Sequence, residues 1–402
     1  MSLTRRLLSF STIPAFSALI PFLILPVLAR AAGSEAWVAI AVGQSVGGFL
    51  ALAVGLGLNV QGPTLVALAA PEDRADLFAR GTRARLALVV PALVAGAVVA
   101  WTLAPAGFGA DAALMAAAIT LGGLTSSWYL IGLGTPLPLI GFELLPRAVA
   151  TAGGAVIVVA GGAVAWYPIL LIAAIVGGVG GYALRVVRPR ELVTGWGESL
   201  RFARRQLSAA ATETVSGAYT ALAVSLVTAG ASTAQAGTYV SGDKLWRMGQ
   251  TVVGAQGNAL QAWVVEDDRA HFGARVRRAL VLHAALGAVG FALFALAGPW
   301  LTALAFGSGV AIDRPTAVLF GVATFCLSMS TATGRHVLIA WGRPKQVFAS
   351  VVAGAAVGIP TTLILSAQLG AVGGATGLAA AEASVLLVQI AMIAAIRKGV
   401  RA

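Results

Sequence analysis

Apolar residues run along this chain in blocks too long for any soluble helix, broken by short polar gaps. We read twelve such blocks, at 10–30, 37–58, 86–104, 112–133, 143–163, 166–187, 206–229, 236–264, 279–304, 315–341, 345–366 and 371–396. A helix needs about 20 apolar residues to cross the hydrocarbon core of a bilayer. Its backbone hydrogen bonds are then satisfied within the segment. The short alternating segments of a membrane β-barrel are absent from the sequence. The pattern predicts an all-α polytopic membrane protein with about 12 transmembrane helices. No gap is long enough for a soluble domain, the longest running from Arg185 to Arg205.

Composition agrees: 58% of residues are hydrophobic, 10% are charged and mean hydropathy is +0.89. A net charge of +12 invites a nucleic-acid partner, but the positions of the charges argue against one. Arg5 and Arg6 precede span 1, and Arg74, Arg80, Arg83 and Arg85 fall between spans 2 and 3. A third basic group lies around 185–205, another around 269–278, and others follow spans 10 and 12. The opposite gaps hold only Arg30 and Arg314. This is the positive-inside bias. It predicts both termini on the cytoplasmic side of a bacterial inner membrane, with anionic lipids as neighbours. Trp37, Trp101, Trp166 and Trp300 at outer span ends, with Trp263 and Trp341 at inner ones, predict an aromatic belt. The start, Thr4-Arg5-Arg6-Leu7-Leu8, faintly resembles a secretion signal, but the run behind it is span-length and is expected to be retained.

The spans divide six and six at the basic loop near 188–203, so lobes of residues 1–190 and 191–402 are expected to enter from the same side, packed around a central cavity. Small-residue pairs such as Gly43/Gly47 and Gly373/Gly377 are read as helix-packing contacts. Pro14, Pro21 and Pro26 predict a kinked first span that lines the cavity. Gly62 and Pro63 are expected to end span 2, and Pro360 to kink span 11.

Candidate chemistry is sparse. No Walker A sequence occurs, and Cys326 and the three His residues lack metal-ligand spacing. No enzyme, cofactor or metal is therefore expected, and the His residues are read as structural. Span 8 stands apart. Asp243, Arg247, Gln250, Gly254, Asn258 and Gln261 recur at helical steps, with Lys244 beside them and Tyr239 one turn outward. A charge at the bilayer centre costs about 2.5–3.5 kcal/mol on insertion scales. Three within five residues are expected to face a wet cavity, Asp243 partly neutralising Arg247, with Lys244 leaving a surplus cation suited to an anionic ligand. A purely structural ion pair is the competing reading.

Other charges lie within the apolar blocks. Glu213 in span 7 and Glu382 in span 12 are candidates for proton or sodium coupling, together with Asp243. Arg335 in span 10 either meets the ligand or snorkels toward Trp341. Arg30 at the outer end of span 1 is either a mouth residue or an interfacial anchor. The first half adds Gln44 and Asn59, and an i,i+4 pair, Glu143 and Arg147, read as a structural latch.

Several short motifs resemble one family. They are Ile13-Pro14 through Leu25-Pro26-Val27-Leu28-Ala29-Arg30-Ala31-Ala32-Gly33, Ala236-Gly237-Thr238-Tyr239 with Asp243-Lys244-Leu245, and Ala305-Phe306-Gly307. To these add Ala340-Trp341-Gly342-Arg343 and Leu369-Gly370-Ala371-Val372-Gly373-Gly374-Ala375. Together they are similar to the Wzx-type polysaccharide flippases of the multidrug/oligosaccharidyl-lipid/polysaccharide exporter superfamily. The resemblance implies two six-helix lobes, and alternating-access flipping of an undecaprenyl-pyrophosphate-linked oligosaccharide, coupled in several relatives to an ion gradient. It implies Lys244, Arg247 and Arg335 as pyrophosphate contacts. Arg30, Gln44, Asn59, Tyr239, Gln250 and Asn258 complete the expected binding set. Polysaccharide polymerases or glycosyltransferases are the implied partners. The alternatives are a multidrug or small-solute exporter of the same superfamily, which predicts a net acidic cavity, and a non-transporting scaffold of a polysaccharide assembly complex.

Overall fold

A computed structural model of the protein describes residues 24–135, 137–265 and 269–399. Among these the chain is helical, without strands. Most of span 1, including Pro14 and Pro21, lies outside the described residues, and so does the N-terminal basic stretch. The described part begins with α1 (24–32), followed by α2 (Ser34–Gly55), α3 (Leu58–Leu68), α4 (Arg74–Leu103), α5 (Gly109–Leu121), α6 (Ser127–Leu133) and the single turn α7 (Leu137–Leu139). Next come a π-helical segment (Ile140–Leu144), α8 (Leu145–Val159), α9 (Trp166–Val186), the short α10 (Pro189–Val193) and α11 (Trp196–Gly230). The chain continues as α12 (Thr233–Val265), α13 (Arg269–Ala292), a π segment (Leu293–Ala297) and α14 (Gly298–Phe306). It ends with α15 (Arg314–Thr331), a third π segment (Ala332–Ile339), α16 (Pro344–Leu369) and α17 (Ala371–Gly399).

Nine segments among the described residues are long and apolar enough to cross a membrane. Two further helices, α11 and α12, are 35 and 33 residues long and carry more charge. The protein is an all-α, multi-pass membrane protein. Two compact units are present, Met1–Ser225 and Leu226–Ala402, and their junction falls inside α11.

Helix ends depart from the expected ones where the backbone, not hydropathy, decides. Span 2 does not stop at Gly62 and Pro63. It breaks earlier, where Leu56 and Gly57 take φ of 57° and 71°, and α3 then runs through Pro63 to Leu68. Span 4 breaks at Gly122–Ser126, between α5 and α6. Pro360 sits inside an unbroken α16. The Gly43/Gly47 pair behaves as packing: both face the α5 backbone at Ala112 and Ala116, where a Cβ would collide. Trp101, Trp166 and Trp300 are exposed, as a belt requires, whereas Trp37 is fully buried and belongs to the core.

The larger correction concerns Arg83 and Arg85. Both were expected in an inner loop; both lie inside α4 and are buried. Arg83 donates from Nε to Ser199 Oγ at 2.8 Å and from its guanidinium to the Glu191 carbonyl, tying α4 to α10 and the start of α11. Arg85 donates to the carbonyls of Gly81, Gly123 and Thr125, the last at 2.8 Å, and lies 5.5 Å from the Trp128 ring. The carbonyls of Gly123 and Thr125 are freed by the α5–α6 break, so Arg85 satisfies backbone that the bilayer cannot. Around this clamp, Phe78, Trp128, Tyr129 and Tyr182 form an aromatic core. Replacing Arg85 with Ala is expected to destabilise the protein by about 2–4 kcal/mol, because buried acceptors lose charged donors. Arg80→Ala, which breaks only the partly exposed Asp76 pair, should cost about 1 kcal/mol or less. Thermal unfolding of both variants in detergent reads the difference.

Candidate functional site

The polar residues of the second unit gather along α12. Asp243 is completely buried and Lys244 nearly so, at 7% exposure. Arg247 Nε donates to Asp243 Oδ2 at 2.8 Å, with about a quarter of its own side chain exposed. Farther along the helix Gln250 is half-buried, while Thr251, Asn258 and Gln261 are exposed. The stripe is thus sealed at the Asp243 end and opens from Arg247 onward. An exposed amide on a membrane helix is stable where water reaches it. Asp243, Lys244 and Arg247 thus bring one carboxylate and two cations within five residues of α12.

Arg335, in the π segment Ala332–Ile339, donates to the side-chain oxygen of exposed Asn258 and so joins the open end of the stripe. Its partner is on α12, not Trp341, which instead receives Arg397 at 5.9 Å. Tyr239 is fully buried, its ring tilted against Phe320 with centroids 5.4 Å apart, and it lies in the field of Asp243 and Arg247. Glu382 on α17 is buried beside Cys326.

Among the candidate residues of the first unit, Asn59 and Glu213 are in contact. Asn59 Nδ2 donates to Glu213 Oε1 at 3.3 Å, linking α3 to α11, while Glu213 Oε2 is buried without a hydrogen-bond partner. Gln44 and Thr151 both hydrogen-bond Tyr167. Arg30 is exposed on α1. The Glu143–Arg147 pair is present at 3.4 Å, but Glu143 does more than pair. It accepts the Ser126 amide at 2.6 Å and the Thr125 hydroxyl, pinning the α5–α6 break to the π segment Ile140–Leu144.

Sequence spacing concealed one constellation. His283 on α13 and His336 in the third π segment are 53 positions apart, yet their Nε2 atoms lie 3.3 Å apart in the buried core. The proton positions follow from their partners. Ser328 Oγ donates to the His283 carbonyl at 2.7 Å, so it accepts from His283 Nδ1 at 3.2 Å. Nε2 of His283 then carries a lone pair, and His336 Nε2–H donates to it. His336 Nδ1 is left buried without a partner. Among the described residues no cluster of three metal-ligating side chains occurs.

No known sequence-family profile and no curated protein matches this chain. Solved structures do. The lipid II flippase MurJ in an inward closed conformation aligns with TM-score 0.77 at 13% identity, over 96% of this chain and 87% of its own. An inward-facing multidrug resistance MATE family transporter of the MOP superfamily aligns with TM-score 0.68 at 15% identity, over 94% and 95%. The eukaryotic MATE transporter AtDTX14 aligns with TM-score 0.55 at 14% identity, over 94% and 91%. At these identities the likeness defines the fold alone: it is the two-lobed helical fold of MurJ and the MATE transporters.

Two stability predictions follow from these contacts. Arg247→Ala removes the hydrogen-bonded partner of a buried carboxylate and is expected to cost about 3–5 kcal/mol, whereas the double variant Asp243→Asn/Arg247→Gln removes both members of the pair and should recover part of the loss, Lys244 losing its nearby carboxylate. A double-mutant cycle of thermal stability checks this. His283→Ala removes partners from both Ser328 and His336 and is expected to cost about 1–3 kcal/mol, while exposed His271→Ala should stay within about 0.5 kcal/mol of wild type.

Proposed function

We propose that this protein is a flippase for a lipid-linked, undecaprenyl-pyrophosphate-type oligosaccharide, moving it across a bacterial cytoplasmic membrane by alternating access. The observation that carries the reading is the pair of guanidinium groups along the open part of α12, Arg247 where the helix emerges from the packed core and Arg335 beside the exposed Asn258. A diphosphate needs concentrated positive charge, and Arg offers it with directional donors. Lys244, Arg247 and Arg335 supply that charge in this proposal, and Gln250 and Asn258 the neutral hydrogen bonds beside it. Tyr239 supports Asp243 from the core. Arg30, Gln44 and Asn59 belong to the first lobe's share of the path, with the lobe boundary at 190/191. Coupling to protons or sodium is assigned to Glu382, Glu213 and Asp243. Both termini are placed in the cytoplasm, and glycosyltransferases or a polymerase are the partners that would supply and consume the substrate. The likeness to a lipid II flippase supports a lipid-linked substrate.

The MATE likeness favours a second reading, export of a small cationic solute. It requires an acidic path, whereas Lys244, Arg247 and Arg335 at least balance Glu213, Asp243 and Glu382 in number. In a strain that depends on this protein for surface polysaccharide, Asp243→Asn/Arg247→Gln is expected to reach the membrane at normal levels and lower polymer export at least tenfold. Normal export from that variant would favour a scaffold. Normal export together with lost resistance to cationic compounds would favour drug efflux.

A further inference from the structure

We propose that the first unit contains a binding site for a single-chain amphipathic anion, in a slot enclosed by α2, α5, α8 and α9. The slot has a volume of about 420 Å³, within the range of small-molecule sites. Its shape is set by the helices that line it. Tyr167, Leu171 and Ile175 lie on successive turns of α9, a run of about 12 Å at 1.5 Å per residue. Across from them α2 contributes Gln44 and Ala51, and α5 contributes Ala118 and Ile119. Mainly apolar walls over this length fit an apolar chain better than a compact polar solute.

Charge selects the head group. Arg147 lines the slot, and its Nε is buried without a hydrogen-bond partner. Its neighbour Glu143 does not neutralise the region. That carboxylate already accepts from Ser126 and Thr125, and it also sits in the field of Arg85. Two cations share one carboxylate, so a positive charge remains, with an unfilled donor pointing to the same need. A buried donor without an acceptor costs about 1–3 kcal/mol, which an anionic oxygen in the slot would remove. Thr151, one turn from Arg147, and the Tyr167–Gln44 pair add neutral polar groups on the same lining. A neutral alcohol could accept from Arg147 Nε but would bring no counter-charge, and a bare anion would leave the apolar length unfilled. The occupant is therefore a phosphate or carboxylate carrying one apolar chain. Seated there, it would tie the α2–α5 pair to the α8–α9 pair.

The slot shares Gln44 with the path proposed above but contains no residue of the α12 cluster, and it stands whether or not the protein moves a lipid-linked glycan. The test is equilibrium binding of radiolabelled decyl phosphate to the full chain in nanodiscs of zwitterionic lipid, with decanol and inorganic phosphate as competitors. Saturable binding is expected, with both competitors at least tenfold weaker. Arg147→Gln should weaken binding at least tenfold. Ala148→Phe, which fills the slot without touching the Glu143 contacts, should abolish it. Non-saturable uptake, or wild-type binding by folded Ala148→Phe protein, would overturn the proposal. Inorganic phosphate competing as well as decyl phosphate would overturn the amphiphile and leave a free-anion site. Binding is read on the protein alone, so its outcome and that of the export experiment are independent.

Discussion

A charge in the hydrocarbon core must be matched by protein or wetted, and this requirement organises the interior of the molecule. Arg85 is matched by carbonyls that a broken helix exposes, and Arg83 by a serine and a further carbonyl. Glu143 is matched by an amide, a hydroxyl and Arg147, and Asp243 by Arg247. Each of these groups fixes a junction between helices. At Arg147 the matching is incomplete, because its buried Nε has no hydrogen-bond partner.

Helix irregularities carry much of this chemistry. Glu143 lies in one π segment, and Arg335 and His336 lie in another. A π turn adds a residue to the helical repeat and swings side chains out of the register that an α-helix would impose. Arg335 thereby meets Asn258 on α12 while the adjacent His336 meets His283 in the core. Adjacent residues with opposite tasks are served by the same local distortion.

The sequence disclosed the membrane class, the helical architecture and the α12 stripe, because hydropathy blocks and helical spacing are properties of contiguous residues. The Asp243–Arg247 pair was legible for the same reason. The His283–His336 contact was not, since no local pattern brings α13 to the third π segment. Arg83 and Arg85 read as loop charges because they precede the apolar run. Only the α5–α6 break, with its freed carbonyls, explains why α4 starts earlier and buries them. The same break explains why Glu143, expected as half of a simple pair, anchors three partners. Tyr239 was placed on the stripe by spacing, but its ring turns into the core against Phe320.

The central claim is that the protein moves a lipid because it can hold that lipid's phosphates. Transbilayer movement in proteoliposomes tests it most directly, comparing an undecaprenyl-pyrophosphate-linked oligosaccharide with the same glycan joined to undecaprenol without phosphate. The account predicts that the pyrophosphate-linked molecule crosses at least tenfold faster than in protein-free vesicles, while the phosphate-free one gains nothing. Equal acceleration of both lipids, or of neither, would contradict it.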